Sequence, residues 1–69
     1  MPTAKQVIIE ALEKKYDADM SKAEANIKVL LENPVGVADH ADIVSTVDKE
    51  MQKISKAKEM LDELANWRT

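Results

Sequence analysis

An all-α fold, an antiparallel two-helix hairpin, is predicted by three observations. Apolar residues recur at steps of three and four on both sides of a central break. That break, Asn33-Pro34-Val35-Gly36-Val37-Ala38-Asp39, holds the only glycine and the only internal proline of the 69 residues. No stretch alternates apolar and polar residues with the period of a strand. Two helices joined by so short a connection must lie side by side and antiparallel. The chain is read as one domain, with a helix over 3–33, a turn over 34–38 and a helix over 39–67.

The first helix opens on Thr3 and Gln6, whose spacing is that of a capping box. The Thr3 hydroxyl can serve the amide of Gln6, and the Gln6 side chain can reach back to the amide of Thr3. Its apolar stripe runs through Ile9, Leu12, Tyr16, Met20, Ala23, Ile27 and Leu30, widened by Ile8, Val29 and Leu31. The Tyr16 hydroxyl is expected at the edge of the bundle.

The turn rests on Asn33, Pro34, Gly36 and Asp39. The residue before a proline is pushed out of the α region, and proline cannot donate to the preceding turn, so the first helix must stop near Asn33. Gly36 can take positive φ without steric cost, which lets the chain reverse. The Asp39 carboxylate then offers an acceptor to the free amides at the start of a second helix.

The second helix carries Val44, Val47, Met51, Ile54, Ala57, Leu61 and Leu64, with Ile43 and Met60 beside the stripe. Pairs such as Glu10 with Lys14, Glu24 with Lys28 and Lys58 with Asp62 stand one turn apart, worth only ~0.2–0.5 kcal/mol each. Trp67, in register with Leu64, is expected to cap the open end of the bundle; the alternative is an aromatic anchor for a partner.

The stripes are too wide for one hairpin. Ile8 with Ile9, Leu30 with Leu31, Ile43 with Val44 and Met60 with Leu61 are adjacent pairs. Neighbours on a helix point about 100° apart, so one antiparallel partner cannot cover both members. The expectation is a homodimer, two hairpins packed into a coiled-coil-like four-helix bundle. Its core would be drawn from Ile9, Leu12, Tyr16, Met20, Ile27, Leu30, Val44, Val47, Met51, Ile54, Leu61 and Leu64.

Composition narrows the function. Nine of the apolar residues are alanine, and the aromatics are Tyr16 and Trp67 alone, so the core is aliphatic, with Met20, Met51 and Met60 as gap-fillers. Thirteen acids and ten bases are interspersed, giving a net charge of -3. Nucleic acid is therefore an unfavoured partner, because counterion release needs a basic face. No apolar run approaches the ~20 residues of a membrane span, and no apolar signal core follows Met1. Without cysteine, a reducing cytoplasmic setting is expected.

No chemistry is legible. His40, the single histidine, sits with Asp39 and Asp42, but adjacent side chains diverge and one nitrogen ligand does not make a metal site. Ser21, Ser45 and Ser55 lie in helical patterns without a glycine-built elbow. Glu10 with Glu13, and Glu59 with Glu63, read as solvated charge. A non-enzymatic protein without cofactor or metal is expected.

The runs Asn33-Pro34-Val35-Gly36-Val37-Ala38-Asp39-His40-Ala41-Asp42-Ile43, Val47-Asp48-Lys49 and Ile54-Ser55-Lys56-Ala57-Lys58-Glu59-Met60-Leu61 resemble small uncharacterised helical proteins of T4-like tailed phages, marine ones especially. The likeness spans the turn and most of the second helix; the first helix matches in composition alone. It implies a phage origin, the cytoplasm of a bacterial host and a small accessory product, and it implies no ligand. Two roles follow as expectations. One is a structural or protein-interaction module. The other is a dimeric nucleic-acid-associated regulator presenting Lys49, Lys53 and Lys56, a face interrupted by Asp48, Glu50 and Glu59 and without an arginine to read bases.

Overall fold

The computed structural model describes residues 1–32 and 42–68. The turn residues Asn33, Pro34, Gly36 and Asp39, together with His40, lie outside the described residues. Helix α1 spans Ala4–Glu32 and helix α2 spans Ile43–Ala65. They pack against each other along a molecule 52 Å long. The order of contacts is antiparallel: Asn26 of α1 meets Glu50 of α2, while Glu13 near the start of α1 meets Arg68 beyond the end of α2.

Both helix starts are side-chain capped. The Thr3 amide donates to Gln6 Oε1 at 2.8 Å and the Gln6 amide donates to Thr3 Oγ1 at 3.1 Å, the reciprocal box that the spacing predicts. In α2 the described cap is Asp42. Its carboxylate accepts from the Ser45 amide at 2.9 Å, and its carbonyl accepts from the Thr46 amide and hydroxyl. Asp42 stands directly before Ile43 and has a non-helical backbone, as a capping residue must.

The expected extension of α2 to Trp67 gives way to an end at Ala65. The Asn66 amide donates to the carbonyls of Glu63 and Leu64, and the amides of Trp67 and Arg68 donate to those of Leu64 and Ala65. These bonds tighten the last turn and use carbonyls that a helix end otherwise leaves open.

The core between the helices is thin. Its buried residues among those described are Ile9, Ala23, Leu30, Ala57 and Leu64. All five belong to two series with a spacing of seven, Ile9-Tyr16-Ala23-Leu30 in α1 and Ile43-Glu50-Ala57-Leu64 in α2. Positions seven apart return to within ~20° on a helix, so each series forms one edge of the seam. Tyr16, Ile43 and Glu50 within these series are half-buried, as are Leu12, Met20 and Ile27 of α1 and Val47, Ile54 and Leu61 of α2 beside them.

Val44 and Met51 depart from the expected stripe: within one hairpin they are 80% and 58% exposed. They stand one place beyond Ile43 and Glu50, the residues that occupy the seam, and so point about 100° away from it. Ile43, expected beside the stripe, is part of it.

Candidate functional site

The seam divides the surface of the pair into two unlike sides. On one, Lys15, Asp19 and Lys22 of α1 face Glu50, Lys53 and Lys56 of α2 across a groove of about 460 Å3. Buried Ala23 and Ala57 lie beneath it, small enough to let the helices approach closely. Lys15 pairs with Asp19 at 3.0 Å and stands 5.4 Å from the centre of the Tyr16 ring. These exposed contacts are worth little in stability.

Glu50 is the residue that sequence reasoning misplaced. Read as one of the acids flanking a lysine face, it instead holds a seam position with its side chain only 12% exposed. Lys53 Nζ donates to its Oε1 at 2.9 Å and Asn26 Nδ2 donates to its Oε2 at 3.3 Å. The hydrogen bond from Lys53, then that from Asn26, hold the carboxyl below the ordinary glutamate range, against an opposing push from burial. The available signal was the spacing Ile43-Glu50-Ala57-Leu64.

Helix geometry places a different set on the opposite side. There α1 presents the inner row Glu13, Met20, Ile27 and the outer row Glu10, Asp17, Glu24, Leu31; α2 presents the inner row Val47, Ile54, Leu61 and the outer row Val44, Met51, Lys58, Ala65. Leu31 is 65% exposed, and with Val44 and Met51 it makes an apolar patch in the half that ends at Glu32 and Asp42. The half-buried Ile27, Val47 and Ile54 lie between them. Two of the adjacent pairs split into a buried and an exposed member, Leu30 with Leu31 toward this side and Ile9 with Ile8 toward the groove side, whereas Met60 and Leu61 are both half-buried.

Trp67 is 62% exposed and its indole N–H donates to Glu63 at 3.1 Å, so the ring lies along its own helix instead of capping the open end. Arg68 crosses to Glu13 at that end. Ion pairs among the described residues include Lys15 with Asp19, Lys53 with Glu50 and Arg68 with Glu13, none of them a pair picked out by spacing. Lys53 and Lys56 of the expected lysine face border the groove, and Lys49 is not among the groove's lining residues.

Among the described residues, no group of three or more acidic, histidine or cysteine side chains is placed to hold a metal ion. No helix among them is long and apolar enough to cross a membrane. Comparison with protein-family models, curated proteins and solved structures gives no match.

Proposed function

We propose that this chain is a small non-enzymatic helical module that acts as a homodimer, two hairpins closing into a four-helix bundle whose outer surfaces are offered to another protein. The observation that carries the reading is the apolar patch of Leu31, Val44 and Met51, exposed by 65%, 80% and 58%. Full burial of such side chains is worth about 1.5–3 kcal/mol each. Covering three on each chain therefore contributes several kcal/mol, comparable with the ~5 kcal/mol expected of a small domain. A structural or accessory role of this kind is also what the phage resemblance implies.

The test is a double substitution, Val44→Glu with Met51→Glu. Both side chains already point to solvent in the hairpin, so α2 keeps its cap and its seam. Sedimentation at tens of micromolar is expected to show the mass of the unmodified protein halved. An unmodified protein that is already monomeric and cooperatively folded contradicts the proposal.

A second reading, nucleic-acid association, is favoured by one observation: Lys15 and Lys22 from α1 converge with Lys53 and Lys56 from α2 around one groove. Two of these lysines are paired with Asp19 and Glu50 in the same groove, which leaves little net charge to displace counterions. Fluorescence anisotropy with labelled single-stranded DNA or RNA at low salt decides. Binding at micromolar protein that weakens steeply with added salt would favour the second reading.

A further inference from the structure

We infer that the two copies of the dimer lie with their turns at the same end, related by a twofold axis along the hairpin's length. The inference rests on the dimer proposed above and concerns its arrangement. Its basis is the match between the two outer rows that border the apolar side.

Within one hairpin Asn26 is level with Glu50, and Glu13 with Arg68. Leu31 is therefore level with the stretch between Val44 and Met51, and Lys58 with the stretch between Asp17 and Glu24. A rotation about the long axis that brings the apolar sides together preserves these levels and sets α1 of each copy against α2 of the other. The row Glu10, Asp17, Glu24, Leu31 then runs beside the partner's Ala65, Lys58, Met51 and Val44. Leu31 enters between the partner's Val44 and Met51, and the partner's Lys58 falls between Asp17 and Glu24. Apolar residues meet apolar ones and the cation meets the acids, the complementarity that fixes orientation at an interface.

The opposed arrangement, with turns at opposite ends, meets two obstacles. At full overlap it lays α1 along the partner's α1, so that Glu10, Asp17 and Glu24 of the two copies repel. It also covers the apolar patch with the partner's acidic half. Sliding the copies until patch meets patch removes the repulsion but leaves about half of each hairpin outside the bundle.

The chain has no cysteine, so Ala4→Cys supplies a single spin-label site at the open end, on an exposed position of the first turn. With turns together, label-to-label distance across the bundle is about 30 Å; with turns opposed it is at least about 45 Å, from a helix spacing of ~10 Å and a rise of 1.5 Å per residue. Pulsed dipolar spectroscopy on labelled protein whose mass is confirmed as dimeric is expected to give the shorter distance. The longer distance overturns this arrangement while leaving the dimer standing. A monomeric mass for the unlabelled protein overturns both.

Discussion

Glu50 occupies a place in a series that Ile43, Ala57 and Leu64 otherwise fill along α2, and it does so satisfied by Lys53 and Asn26. Removing one partner of a part-buried polar pair leaves the other unserved, whereas replacing both with apolar residues can be neutral or stabilising. Asn26→Leu alone is therefore expected to lower the Tm measured by circular dichroism, and Asn26→Leu with Glu50→Leu to recover it. The lowered Glu50 carboxyl also sets a pH dependence. Because the folded value lies below the unfolded one, its contribution is fully present above the ordinary glutamate range and is lost as pH falls through the folded value. Melts from about pH 5 downward are expected to decline less steeply for Glu50→Gln than for the unmodified protein. Sequence reading missed this residue because a glutamate among lysines looks like solvated charge until the seven-residue series reveals what surrounds it. The Thr3 and Gln6 box was legible because its signal is local, contained in four consecutive residues. Thr3→Ala is expected to cost about 1 kcal/mol in chemical denaturation.

For the helices, the decisive feature is the alanine on each side of the seam. Ala23 and Ala57 are 1% and 3% exposed, the lowest values among the buried residues, so the space between the backbones there is full. Ala57→Leu is expected to push the helices apart and destabilise the hairpin by about 1–3 kcal/mol, read as a lower urea midpoint. The existence and direction of both helices follow from periodicity and from the Pro34 and Gly36 punctuation. What periodicity could not give was the phase of α2. Ile43 and Val44, or Glu50 and Met51, fit a three-four rhythm equally well, and only packing against α1 decides which of each pair turns inward. The same limit applies to Trp67, whose register with Leu64 suggested a cap. The Glu63 carboxylate, one turn earlier, takes its indole N–H, and the helix has already ended.

At the scale of the whole molecule, a cationic and acidic groove lies on one side of the hairpin and an apolar patch on the other, and the proposed dimer rests on that surplus of apolar surface. The adjacent apolar pairs announced that surplus in sequence, and the splitting of Leu31 from Leu30 and of Val44 from Ile43 places it on the patch side, while Ile8, seven residues before Lys15, splits from Ile9 toward the groove side. Which side would carry it was not legible, because the side is set by the phase of α2. Substitutions on the groove side, such as Lys22→Ala or Lys56→Ala, are expected to leave the solution mass unchanged, while Leu31→Glu lowers it. The most direct measurement is the solution mass of the unmodified protein by light scattering across a concentration series, with helicity followed in parallel. A constant mass near twice 7.7 kDa is expected, falling toward one chain only at high dilution. A fully helical, cooperatively melting species of 7.7 kDa throughout that range would contradict the proposed dimer.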